Sequence, residues 1–277
     1  MGQAPFLPAG LEIGQALFGD SMNRNVRLIV AYDGTEFAGW QRQADGRTVQ
    51  ALVEDTLAPI EKRPVTVIGA GRTDAGVHAA AQVANTELHT GIPVDELHRA
   101  LNATLPEDVR VLAVDDMPPA FSARHDAKSK TYHYAIWNGV AAPPMFRRYV
   151  WHVPQPLDVT AMNAAAATFV GERDFAAFQA TGSDVKTTVR RILASSVRWI
   201  DVTPLCTAAR GDRFLRYEIT GTGFLRHMVR NIVGTLTEIG LGRRSAADVQ
   251  AILASRNRGQ AGRTAPPQGL TLWHVEY

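Results

Sequence analysis

Cysteine is nearly absent from this chain: its 277 residues include one, Cys206. No internal disulfide can form, and no paired-cysteine metal site is possible. The eight histidines are scattered, without the short spacings of a zinc site. No run approaches 18 apolar residues, which excludes an apolar membrane-spanning helix. There is no P-loop, no nucleophile elbow and no metal-ligating histidine pair on a helix, and no Ser, His and Asp set stands out. Whatever chemistry the chain performs is therefore expected to need neither a metal nor a nucleotide cofactor. The first 25 residues lack a basic start followed by an apolar core and contain Glu12 and Asp20, so they do not read as a secretory signal. Met1-Gly2 begins like a myristoylation site, but Phe6 stands where Ser or Thr is required. A reducing, cytoplasmic setting is expected, with residues 1–25 as a loosely ordered tail.

What is present is an ordinary globular composition with an uneven charge. The apolar fraction is 45% and the charged fraction 20%, enough to build a core without staples. Residues 1–120 carry 9 Lys+Arg against 16 Asp+Glu, a net of −7. Residues 121–277 carry 20 against 11, a net of +9. Lysine is scarce in that basic half: 17 of the 20 cations are arginine. Arginine is the preferred cation for phosphate forks and base stacking, so the basic half points to a nucleic acid. Solvated arginines on helix and strand faces account for composition equally well.

The hydrophobic pattern predicts an α+β chain. Strands are expected at Val26–Tyr32, Val65–Ile68, Gln82–Leu88 and Val109–Val114. A helix capped by Thr48 should carry Val49, Leu52, Val53, Leu57 and Ile60, and a second should follow Pro93 with Leu97 and Leu101 on one face. The second half repeats the order: a strand at Thr131–Trp137, a helix opened by Asp158 or Thr160 with Gly171 as its stop, strands at Val189–Ile200 and Phe214–Thr220, a helix over 224–239, a capped helix from Ser245 and Asp248 through Leu253, and a closing strand at Leu270–Tyr277. Both halves follow β-α-β-β-α-β. This predicts two related ferredoxin-like lobes, over 26–118 and 119–277, with mainly antiparallel sheets that can join and a cleft between them. The boundary falls near Pro118-Pro119.

Three segments can carry chemistry. The first is the loop from Gly69 to His78, which holds Arg72, Thr73 and Asp74 among small residues. Glycine lets backbone and a flat substrate approach closely, and a neighbouring cation favours an ionised carboxylate. A positioned anion is a candidate nucleophile or base. Asp-Ala-Gly is also plain turn chemistry. Dinucleotide binding fails here, because the third glycine of that fingerprint is replaced by Asp74, whose charge repels a pyrophosphate. The second segment runs from Phe121 through Arg124, Lys128 and Lys130 to Tyr132 and Tyr134, coupling a basic run to an aromatic strand. Cations hold phosphates and rings stack on bases; a core strand with buried tyrosines is the competing reading. In the third, Gly221 and Gly223 open a helix whose polar stripe should carry Arg226, Arg230 and Asn231. An amphipathic surface helix with two exposed arginines explains the same pattern.

Taken in order, these segments resemble the tRNA pseudouridine synthase A family over roughly residues 26–277. The stretch from Tyr32 through Asp33, Gly34, Phe37, Gly39 and Trp40 to Gln41 is similar to its opening motif, followed by Thr48-Val49-Gln50. The run from Gly71 through Asp74 to His78 resembles its catalytic loop. Phe121 to Arg124, Tyr132-His133-Tyr134, His227 to Gly234 with Arg230 inside it, and Gly269-Leu270 match further segments. Met1–Asn25 departs from the family, whose N-terminal lobe begins close to the first strand. The resemblance implies conversion of uridine to pseudouridine at positions 38–40 in the tRNA anticodon stem-loop, by a homodimer without cofactor. It implies Asp74 as catalytic nucleophile, Arg72 and Arg230 as supporting cations, Tyr132 against the target base and Leu270 as an apolar wall. Arg226, Arg124 and Lys128 are expected on the RNA backbone, and no metal site is expected. A catalytically silent RNA-binding protein on the same scaffold is the alternative.

Overall fold

The computed structural model describes residues 23–180, 182, 185–201 and 213–277. Most of the expected tail, and Cys206, lie outside the described residues. Strand β1 (Arg24–Tyr32) begins two residues earlier than its apolar pattern suggested, and its alternating Val26, Leu28 and Val30 are fully buried. It stops at Asp33, whose carboxylate accepts the Thr35 N–H at 3.0 Å and turns the chain. Helix α1 (Val49–Glu61) starts where Thr48 accepts the Ala51 N–H. Val49, Val53 and Leu57 form its buried stripe.

The next strand is shorter than expected. Only Ile68 and Gly69 pair, as β2, with β3 (His78–Leu88). The reason lies in α1: Glu54 accepts the Val67 N–H at 2.9 Å and Gln50 donates to the Val67 carbonyl at 3.0 Å. Those side chains satisfy backbone groups that a longer strand would have paired. Helix α2 (Val94–Thr104) buries Leu97 and Leu101, and β4 (Val109–Met117) returns beside β1.

After a turn through Pro118 and Pro119 come β5 (Ser129–Asn138), the short β6 (Trp151–Val153) and α3 (Val159–Ala167), which Asp158 caps by accepting the Ala161 N–H at 3.0 Å. Strands β7 (Gly171–Asp174), β8 (Val189–Ile200) and β9 (Arg213–Gly221) follow. Helices α4 (Met228–Gly240) and α5 (Asp248–Ser255) precede the last strand, β10 (Leu270–Glu276). Strands β6 and β7 had no counterpart in the sequence pattern.

The described residues thus form an α+β fold of ten strands and five α-helices, and the strands make one mostly antiparallel sheet. Its order is β4-β1-β3-β10-β5-β9-β8-β7, with β2 also on β3 and β6 on β5. Strand β10 is the join. It pairs parallel with β3 through Thr271 and Leu272, and antiparallel with β5 from Leu270 opposite Tyr134 to Glu276 opposite Ser129. The end of the chain therefore brings the loop before β3 next to β5, which is where the candidate residues meet.

Candidate active site

Asp74 lies on the loop between β2 and β3, and the segment after β1 fixes that loop from one side. Trp40 donates its N–H to the Thr73 carbonyl at 3.1 Å, and Gly76 donates to the Phe37 carbonyl at 3.2 Å. Gly39 has φ +103°, and a Cβ there would sit 2.7 Å from the Thr73 oxygen and 3.2 Å from the Asp74 carbonyl carbon. Only glycine fits both the angle and the gap. The Tyr32 and Thr73 hydroxyls are 2.8 Å apart in the interior, and Gln82, fully buried on β3, donates to the Gly71 carbonyl at 2.8 Å. The stretch from Tyr32 to Gln41 and the Asp74 loop, separated in sequence, are one packed unit.

The opposite side comes from the second half of the chain. Arg230, on the first turn of α4, donates from Nη1 to Asp74 Oδ2 at 3.3 Å and from Nε to the Ala265 carbonyl at 2.8 Å. Ala265 in turn donates its N–H to the Arg230 carbonyl at 3.1 Å. The guanidinium is therefore aimed by two contacts and is 13% exposed, against 26% for the Asp74 side chain. A second neighbour had no role in the sequence reading: His227 Nε2 lies 3.5 Å from Asp74 Oδ2. His227 sits immediately before α4 with φ +59°, a left-handed conformation uncommon outside glycine. Burial holds its imidazole below the ordinary range. Asp74 pulls the other way, while Arg230, Arg226 and Arg258 reinforce the lowering.

Tyr132 closes the group from β5. It is buried, its ring meets Phe224 edge-on at 5.0 Å, and Gly71 lies beside its hydroxyl. Burial, with the charges of Tyr32 and Asp74 adding to it, raises its phenol far above the ordinary range. The hydroxyl is thus a proton donor and not an anion at neutral pH. Leu272 stands opposite Tyr132 and Leu270 opposite Tyr134, both leucines being buried. These pairs line the sheet beside the Asp74 loop with apolar side chains.

Several candidates fall elsewhere. Arg72 is exposed and makes no hydrogen bond or ion pair among the described residues. The cation on Asp74 is Arg230, with the His227 imidazole beside it. Tyr134 is not part of a ring platform: it is fully buried and donates to the Pro266 carbonyl at 2.7 Å. The helix expected from 224 starts at Met228, because a turn closed by the Met228 N–H on the Leu225 carbonyl at 3.1 Å passes through the left-handed His227. Arg226 therefore precedes α4 and is exposed. Asn231 is not on a polar stripe but fully buried, donating to Phe178 and accepting from Arg258 and Thr264. Arg124 and Lys128 are exposed. Among the described residues no three His, Cys, Asp or Glu side chains gather as a metal ion requires. No helix among them is long and apolar enough to cross a membrane.

Chemically, this is a single carboxylate held between a fixed guanidinium and an imidazole, facing a neutral phenol with an apolar surround. A family model described as tRNA pseudouridine synthase matches residues 28–126 and 165–277. The tRNA pseudouridine synthase A of Acetivibrio thermocellus is 43% identical over 254 residues, covering 92% of this chain and all of that protein. The tRNA pseudouridine synthase A of Solidesulfovibrio magneticus is 47% identical over 260 residues, 91% of this chain and 90% of that one. Geotalea uraniireducens has a protein of the same name at 43% identity, covering 92% of this chain and all of the relative. A chain from the crystal structure of a Cbf5-Nop10-Gar1 complex superposes with a TM-score of 0.27 at 15% identity, covering 76% of this chain and 54% of that one. That likeness is too weak to carry any argument. The matched segments include both the Asp74 loop and the α4 arginine, and the chain belongs to the tRNA pseudouridine synthase A family.

Proposed function

We propose that this protein isomerises uridine to pseudouridine at positions 38–40 in the anticodon stem-loop of tRNA, with Asp74 as the catalytic nucleophile. The observation that carries this reading is the convergence of Asp74, Arg230, His227 and Tyr132, from both halves of the chain, in a member of this family. The reaction breaks the N1–C1′ bond, turns the uracil and forms a C5–C1′ bond. The proton that leaves C5 is balanced by one gained at N1, so the change is internal to the nucleotide and needs no oxidant, reductant or cofactor.

The geometry suits each requirement. The target base must leave its stack, at a cost of a few kcal/mol. Contact with the Tyr132 ring offsets part of that, about 1–3 kcal/mol for a stacked base. Asp74 attacks the sugar or the base, and either attack uses an anion already placed by Arg230 and by the backbone contacts of its loop. Leu270 serves as the apolar wall that holds the detached uracil against solvent while it turns. The neutral Tyr132 hydroxyl is available to donate a hydrogen bond to the base.

The same reading extends to the architecture and setting. The protein is a cytoplasmic homodimer acting on tRNA, built of two ferredoxin-like lobes that meet near Pro118-Pro119. With the short β6 and β7 set aside, the strand order within each lobe supports a shared plan: β4-β1-β3-β2 and β10-β5-β9-β8 both run fourth, first, third, second. The deciding experiment is incubation of the purified protein with an unmodified tRNA transcript, followed by chemical mapping of pseudouridine. Product at positions 38–40 is expected. Tight binding without product would make the chain a silent RNA-binding relative instead.

A further inference from the structure

Lys130 stands on β5 two residues before Tyr132, so both side chains leave the same face of the strand. A Cβ on Gly71 would lie 3.4 Å from Lys130 Cε, 3.7 Å from its Cδ and 4.0 Å from the Tyr132 hydroxyl. The lysine stem therefore lies over the glycine three residues before Asp74, with the phenol at its side. Lys130 is half buried, yet it has no hydrogen bond or ion pair among the described residues. Burial pushes its ammonium below the ordinary range, and the nearby charge of Arg124 pushes the same way. No carboxylate opposes them. Arg230, by contrast, has both Asp74 and the Ala265 carbonyl.

A partly desolvated cation beside a second cation is unfavourable until an anion arrives. RNA brings one phosphate per nucleotide, and a lysine binds phosphate as a point charge. The slot beside Gly71 is narrow: a Cβ there would already touch the lysine stem at van der Waals distance.

We propose that Lys130 is the anion anchor of the site, taking a backbone phosphate that flanks the base lying against Tyr132 and so setting the ribose over Asp74. This rests on the RNA-isomerase reading. It makes Lys130 a positioning residue, and Arg124 a second cation drawn to the same stretch of backbone.

The test uses anticodon stem-loop RNA with natural linkages, and two versions with one neutral methylphosphonate on either side of the target uridine. Binding is measured with wild type, Lys130→Met, which preserves the apolar stem, and Lys130→Arg. Lys130→Met should bind natural RNA about 10- to 100-fold less tightly, the range of a charge-assisted hydrogen bond, and Lys130→Arg should recover most of that loss. One of the two neutral linkages should weaken wild type to the same extent and leave Lys130→Met unchanged. Binding by Lys130→Met equal to wild type overturns the proposal, as does an additive loss at both linkages. If Lys130→Met does not fold, the wild-type series decides: the proposal falls if neither neutral linkage weakens binding. Pseudouridine formation is scored separately with natural RNA. Absence of product with wild type overturns the isomerase reading, whereas the linkage pattern bears on Lys130 alone.

Discussion

Replacing Gly39 with alanine tests whether the segment after β1 positions Asp74 for reaction. Two penalties apply at this position. A non-glycine residue at φ +103° is strained, at a cost of about 1–3 kcal/mol. The new Cβ would also lie 2.7 Å from the Thr73 oxygen and 3.2 Å from the Asp74 carbonyl carbon. Both contacts are with backbone, so the Asp74 loop must shift by several tenths of an ångström or the Trp40 to Thr73 hydrogen bond must break. Gly171 is the matched control. Its φ is +102°, but a Cβ there meets nothing within 4 Å. Gly171→Ala should therefore show the strain alone, and Gly39→Ala the strain with a displaced carboxylate. Gly171→Ala should lose about 1–3 kcal/mol of stability, and Gly39→Ala more than that, at roughly 2–4 °C in Tm per kcal/mol. Only Gly39→Ala should lose single-turnover rate on bound tRNA, by about 10- to 100-fold, since a misplacement near 1 Å can cost about a hundredfold. Stability is read by calorimetry and turnover by timed pseudouridine mapping. A Gly39→Ala protein that turns over at the rate of Gly171→Ala would refute this account of how the loop is held.

Arg230→Gln should nearly abolish turnover and lower stability by about 1–3 kcal/mol, because Asp74 and the Ala265 carbonyl both lose a charged donor; thermal melts and single-turnover assays check both. Arg226→Ala should weaken tRNA binding and flatten the plot of log affinity against log salt by about one unit with little change in saturated turnover, since Arg226 is exposed and its side chain has no partner among the described residues, whereas Arg230 is engaged by Asp74. An unchanged salt slope would remove Arg226 from the RNA contact. Tyr132→Phe should bind tRNA nearly as wild type and turn over slowly if the neutral hydroxyl donates to the base, while Tyr132→Leu should lose about 1–3 kcal/mol of binding. Turnover by both variants equal to wild type on saturating tRNA would take Tyr132 out of the site.

Local elements were legible where one physical signal acted alone. The Thr48 cap and the stripe of Val49, Val53 and Leu57 marked α1 closely, and the bounds of β8 were matched to the residue. Signals failed where distant partners intervened. Strand β2 shrank because Glu54 and Gln50 took the Val67 backbone groups. Strand β3 began at His78 and not Gln82, because β1 and β10 flank a run of alanines that has little β-propensity of its own. Asn231 read as a polar face residue until Phe178, Arg258 and Thr264 satisfied it in the interior. Within the site, Asp74 and Tyr132 stood out from glycine spacing and aromatic alternation. Arg230 was expected beside Asp74 from the family resemblance and not from any local pattern, and His227 was not expected there, since both are neighbours of Asp74 in space and not in sequence. The insertion of β10 between β3 and β5 creates that proximity, and no local pattern encodes a strand order.

The central claim is that the Asp74 carboxylate performs the reaction. Asp74→Asn changes the charge with almost no change in shape, so folding and much of the tRNA affinity should survive. The direct measurement is single-turnover pseudouridine formation at positions 38–40 on saturating unmodified tRNA, for wild type and for this variant prepared free of wild-type enzyme. The account predicts product with wild type and none above background with Asp74→Asn, despite comparable binding. Product from the variant at more than a small residual rate would contradict it.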